Sequence, residues 1–426
     1  MFQLRRKTAV CEVWRGLLCA LVFCALVFAA FLTPLAQAAE GADCTIASTA
    51  MESASRLRGL SIMRSVPCKL QDRQEVEQYL RETISKKIPA ERIKHEGTTY
   101  RMLGLLPYDY DYLNGLIRLY TEQLGGYYDP DREYYAMAAW MPAAMQMPIA
   151  VHELTHALQD QHFELEKLVD HEKQDSDSLM ARSALIEGDA TAVMLDYSRS
   201  LGGQPSIAEE QSVSLFMIQN ITGAMLSASL NQAPPALQAT LIFPYVSGLN
   251  FAHSLLRHGR YQEIDRAFAR LPTSTEEILH PKKYLAGKVD YVAVPTPVPT
   301  SGTGYDDAKP VFEDRMGEFL LSVLIGTWLP PSVASDAAAG WGGDRLALYE
   351  LPDGSKPLLL WHLRWDDSAE AKQFFKAFVE AYAKRYQQEV PAETSAVSFR
   401  DPHFGAVGIT LEEERVQLSI GGSDAP

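Results

Sequence analysis

The residues best suited to chemistry lie between Pro148 and Ala190, in PIAVHELTHALQDQHFELEKLVDHEKQDSDSLMARSALIEGDA. Its front half carries His152, Glu153 and His156 in an H-E-x-x-H pattern, and its back half carries Glu187. Residues four apart on an α-helix stand one above the other on the same face. His152 and His156 can therefore aim two imidazole nitrogens at one point, as a zinc ion requires of its first two ligands. Glu153 lies to the side of that point, where it can reach a zinc-bound water without binding the ion. The bland alternative is a chance pattern on an ordinary helix, but burying two histidines and a glutamate together needs a reason.

A helix must carry these groups, and the local sequence favours one. Pro148 suits a first helical position because its missing N–H is unpaired there anyway. Ile149, Ala150, Leu154, Ala157 and Leu158 supply a buried flank. Two residues compete for the third ligand. His162 has the spacing of H-E-x-x-H-x-x-G-x-x-H, but the glycine position of that pattern is Gln159. Without the glycine the helix continues, and six further residues turn through about 600°, carrying His162 away from His156. Glu187 is the stronger candidate. Asp177 to Ser200 has helical periodicity, with Leu179, Leu185, Ile186, Ala190, Val193, Met194 and Tyr197 apolar. A second helix packed against the first would bring Glu187 to the ion. Gly188 would let the two helices approach closely, and the charged stretch Phe163 to Ser176 would connect them. Otherwise Glu187 is a solvated carboxylate on a helix face.

His152-Glu153-Leu154-Thr155-His156 followed by Glu187-Gly188-Asp189-Ala190 resembles the gluzincin metallopeptidases. The wider run, HELTHALQDQHF then ALIEGDAT, resembles a set of secreted bacterial proteins with a peptidase-like zinc motif. The resemblance is specific over about residues 125–190 and weaker over 240–285. It implies a mainly helical, zincin-like fold, a Zn2+ cofactor on His152, His156 and Glu187, and Glu153 as general base. It also implies a strand bordering the cleft and pairing with extended substrate. Tyr127 to Tyr135, aromatic residues around a Pro-Asp turn, reads as a hairpin and is the candidate. A tyrosine or histidine beyond the third ligand stabilises the oxyanion in such enzymes, and Tyr245 and His280 are the candidates here. Each alone is more ordinarily a packed tyrosine or a surface histidine. The chain departs from the family in its long gap between His156 and Glu187. Thr191 also replaces an aspartate that supports a ligand histidine in some members.

The rest of the chain sets the context. Arg5, Arg6, Lys7 and Arg15 precede an apolar Gly16–Phe31 run and Ala36-Gln37-Ala38, the pattern of a cleaved export signal over residues 1–38. An uncleaved signal would instead be a membrane anchor. Removal of that segment leaves Cys44 and Cys68, which suggest a disulfide joining the first mature helix to the next. The net charge of −15 argues against nucleic acid as a partner and says little about substrate; a peptide or protein substrate is what the resemblance implies.

Glu75 to Lys86 and Tyr110 to Leu124 read as helices. So do Ser212 to Leu230 and Ala236 to Leu256, with Phe243 to Gly248 as an interruption. Ser274 or Thr275 caps a further helix. A catalytic domain over residues 39–290 is expected, then a Pro/Gly-rich linker over 291–309. A smaller α+β domain would follow over 310–426. There Phe312 to Trp328 and Ser368 to Tyr386 read as helices. Arg345 to Glu350, Pro357 to Trp365, Ala406 to Leu411 and Arg415 to Ile420 read as strands, the first pair joined at Pro352-Asp353-Gly354. The fold class expected is α+β. The functional expectation is an exported zinc peptidase. The alternatives are an exported zinc-binding interaction protein without turnover, or a zinc hydrolase acting on a non-peptide amide.

Overall fold

The computed structural model describes residues 43–170, 174–214, 216, 228–287, 291–300, 304–305, 308–351, 354, 356–390 and 394–422. The signal segment lies outside them, as does most of Ser212 to Leu230. The described residues form an α+β fold. The chain opens with α1 (Ala47–Arg58), β1 (Cys68–Gln71), α2 (Arg73–Lys87), α3 (Ala90–Leu103) and α4 (Tyr112–Gln123). The hairpin β2 (Gly126–Asp129) and β3 (Tyr134–Ala138) follows, then α5 (Ala143–Phe163), α6 (Ser176–Leu201), α7 (Pro235–Ala269) and the short α8 (Thr275–Leu279). Among the described residues no helix is long and apolar enough to cross a membrane.

The hairpin forms where its aromatic pattern places it, with Tyr127 opposite Ala136 and Tyr128 opposite Tyr135. A third strand, β1, adds parallel to β3 and completes a sheet of order β1-β3-β2. Its four residues are too few to carry a periodic signal. A disulfide joins Cys44 to Cys68 with Cα atoms 5.6 Å apart. It ties the turn before α1 to β1, a strand, so it does not link two helices.

Three local expectations give way to tertiary packing. The H-E-x-x-H helix starts at Ala143, so Pro148 lies inside it. Pro148 lacks an N–H, leaving the Ala144 carbonyl without its usual intrahelical donor. Phe243 to Gly248 does not interrupt α7, and Pro244 is likewise carried within the helix. The break in α7 falls later, at Gly259 and Arg260, where Arg260 has φ 59°. Gly188 makes its close approach to α7 and not to α5. A Cβ there would meet the Gly248 carbonyl oxygen at 2.1 Å, and one on Gly248 would meet the Ala184 carbonyl oxygen at 2.2 Å. Two glycines thus bring the backbones of α6 and α7 together.

The C-terminal part is a six-stranded antiparallel sheet, order β4-β5-β6-β9-β8-β7. It comprises β4 (Phe312–Asp314), α9 (Gly317–Gly326), α10 (Pro331–Ala338), β5 (Trp341–Tyr349), β6 (Leu358–Trp365), α11 (Ser368–Tyr386), β7 (Ala396–Asp401), β8 (Gly405–Glu412) and β9 (Arg415–Gly421). Phe312 to Asp314 pair with β5 as a strand, so the helix expected from Phe312 begins only at Gly317. Asp367 caps α11 through the N–H groups of Ala369 and Glu370. Phe374, Phe378 and Tyr382 of α11 stack in a row over Trp361, Trp365 and Phe399.

The same buried cluster continues into the helical part through Leu103, Leu185 and Phe251. The proline-rich stretch is extended, as its composition dictates, and lies along the sheet. The Val292 N–H donates to the Gly342 carbonyl, and the Tyr349 hydroxyl donates to the Pro297 carbonyl.

Candidate metal centre

Helix α5 is held on several sides. Ala150, Val151, Leu154, Ala157 and Leu158 are buried against Ala50, Met51 and Ala54 of α1, Tyr128 and Tyr135 of the hairpin, and Val193 and Tyr197 of α6. This packing turns the remaining face, with His152 and His156, toward Glu187 on α6. His152 Nε2 lies 3.1 Å from Glu187 Oε2, His156 Nε2 lies 3.4 Å from the same oxygen, and the two Nε2 atoms are 3.2 Å apart. A tetrahedral ion with bonds of about 2.0–2.1 Å separates its ligand atoms by roughly 3.3 Å. The triangle therefore has the edge lengths of one face of a zinc coordination shell. The donor set, two imidazoles and a carboxylate, is one that catalytic zinc takes. Among the described residues these three form the group of His, Cys, Asp and Glu able to hold a metal ion.

The electrostatics agree with the geometry. Burial works to lower the His156 pKa, but the Glu187 carboxylate outweighs it and raises the imidazole to about 9. Burial works to raise the Glu187 pKa, but His156 and His152 outweigh it and hold the carboxyl well below its usual range.

Glu153 projects beside the trio, and its Oε2 accepts the Tyr128 N–H of β2 at 3.1 Å. Burial raises its pKa above the ordinary carboxylate value, the direction a general base working near neutrality needs. Tyr245 of α7 joins the group: its ring is 6.2 Å from that of His152 and the residue is 42 % exposed, so solvent reaches it. The charge of Glu187 pushes its hydroxyl pKa up. His280 is placed elsewhere. Its Nε2 pairs with Glu318 of α9 at 2.9 Å. It lines a cavity of about 850 Å³ with Ser247, His253 and Arg257, and none of the trio lines that cavity. His162 is likewise turned away, hydrogen-bonded to the Ser61 carbonyl at 2.8 Å.

Three nearby groups escape sequence reasoning. Tyr120 of α4 has a hydroxyl pKa raised by burial and by the charges of Glu96 and Glu187. The buried Tyr135 hydroxyl feels the charge of Glu153 and finds no hydrogen-bond partner among the described residues. Gln159 accepts from His156 Nδ1 at 2.8 Å. The tyrosines carry no local motif, and Gln159 stands out in the sequence only as the residue that replaces a glycine.

A family model described as a domain of unknown function (DUF8575) matches residues 308–425, the stretch that holds β4 to β9 and not the metal-binding trio. No curated protein matches the chain. No solved structure matches it.

Proposed function

We propose that this chain is an exported zinc-dependent peptidase in which His152, His156 and Glu187 hold the ion. The observation that carries the reading is the triangle of ligand atoms, 3.1–3.4 Å on each edge, with the half-buried Glu153 carboxylate beside it. A zinc ion held there would lower the pKa of a water molecule toward neutrality. Glu153 takes the proton released as the water oxygen attacks the peptide carbonyl. It then delivers that proton to the leaving amine as the C–N bond breaks. The Tyr245 hydroxyl donates to the oxyanion that develops on the carbonyl. Strand β2 is an edge of its sheet and offers main-chain groups to an extended substrate. The Cys44–Cys68 disulfide and the basic-apolar leader support export.

The test is metal analysis of the mature protein with a peptide-library digest, wild type beside Glu153→Gln. The expected result is about one zinc in both proteins, with cleavage by the variant reduced about 10²–10⁴-fold. Zinc in both with no cleavage by wild type would move the protein to a non-catalytic zinc-binding role or to another amide substrate.

A further inference from the structure

Behind His156 runs a polar chain that is buried until its far end, where Asp265 is exposed to solvent. Gln159, Asp189 and Arg58 are all essentially inaccessible to water. The Gln159 amide nitrogen donates to the Ile186 carbonyl at 3.0 Å and to Asp189 Oδ2 at 2.9 Å. Arg58 Nε donates to the same Asp189 oxygen at 2.9 Å, and Arg58 Nη2 continues to Asp265 at 2.7 Å.

This arrangement removes an ambiguity. A glutamine amide can in general be turned either way, but here both groups on one side are acceptors, so the nitrogen must face them. The Gln159 oxygen is left facing His156 Nδ1 at 2.8 Å. An amide oxygen cannot donate, so Nδ1 must carry the hydrogen. In a neutral imidazole the lone pair then lies on Nε2, the atom in the metal triangle. Arg58 remains charged at every working pH and donates to Asp189 through Nε.

We propose that Gln159, Asp189 and Arg58 form a positioning relay that fixes His156 as its Nδ1–H tautomer and so presents Nε2 to the ion. The relay rests on the metal-binding part of the functional reading and is independent of peptide cleavage. Asp189 is two residues from Glu187 on α6, and Gln159 is three from His156 on α5. One amide thus sets the ring orientation and holds the third ligand's helix in register with the first two ligands. Gln159 occupies the position at which a glycine would have ended the helix. Its side chain does here what the turn would have made impossible.

The experiment measures zinc affinity by chelator competition for wild type, Gln159→Leu and Asp189→Asn, with circular dichroism to confirm folding. Nitrogen-15 histidine spectra of zinc-loaded wild type accompany it. The relay predicts an affinity loss of about 10–100-fold in either variant. It also predicts a His156 Nδ1 proton in wild type that exchanges slowly with solvent. Folded variants that bind zinc as wild type does would overturn the relay while leaving the zinc site standing. If neither variant folds, the wild-type spectrum decides: coordination through His156 Nδ1, or a rapidly exchanging proton there, overturns the proposal. Wild type without zinc affinity would instead remove the metal reading itself.

Discussion

At the scale of single residues, the proposed mechanism gives Tyr245 a role only as charge develops on the substrate, so Tyr245→Phe is expected to lower kcat by about 10²-fold with little change in KM. Steady-state kinetics check this, and a rise in KM at constant kcat would make Tyr245 a binding residue instead. His280 is spent on Glu318, so His280→Ala is expected to leave kcat/KM unchanged, which the same kinetics test. The two histidines and Glu153 were legible because helix geometry relates residues four apart without reference to anything else. Glu187 was legible from its own helical pattern and its motif. The Gln159 amide was not legible, because its orientation depends on groups that come close only after α6 and α1 have docked.

At the scale of elements, the close approach of α6 and α7 fixes how Glu187 meets α5. Gly188→Ala places a methyl group where the Gly248 carbonyl oxygen already stands. Overpacking of this kind costs about 1–3 kcal/mol. Chemical denaturation should register that loss, with a parallel fall in zinc affinity as the ligand helix shifts. A variant of unchanged stability would mean that the two backbones are free to part. The cap at Ser274 was readable in advance, and Ser274 accepts from the Glu277 N–H as a cap should; the helix read as Glu75 to Lys86 from its periodicity starts earlier, at Arg73, behind an Asp72–Glu75 capping box. What misled was proline. Pro148 and Pro244 look like boundaries to any local rule, yet both stand inside long helices whose packing outweighs a missing hydrogen bond. Strands β1, β4 and β7 were unread for the opposite reason: β1 and β4 are short and their partners lie far away in the chain, and β7 is an edge strand with mixed exposure along its length.

At the scale of the whole molecule, the first turn of α6 is gripped from the C-terminal part. Asp314 accepts the Ser176 N–H at 2.7 Å, and Arg315 pairs with Asp175 and Asp177. Asp177 in turn accepts the Thr275 N–H at 2.8 Å. Burial raises the Asp177 pKa to about 7, that of Asp314 to about 6 and that of Glu96 to about 7. Acids with raised folded-state pKa values keep protons that the unfolded chain has released. Their stabilisation is therefore full below about pH 4 and is lost as pH rises through about 6–7.

Melting temperature should accordingly fall between about pH 5 and 8. Glu96→Gln keeps a polar partner for Tyr100 and Tyr112 but has no charge to bury, so its slope should be flatter. A slope identical to wild type would show that Glu96 does not titrate in that range. A fragment ending near residue 290 should lose the helical signal of α6 and with it zinc binding, as circular dichroism and metal analysis would record. There is also a matter of timing. Ser176 waits for a residue 138 positions further along the chain. The helix that carries Glu187 therefore has its first turn fully anchored only once the chain has been made as far as Asp314.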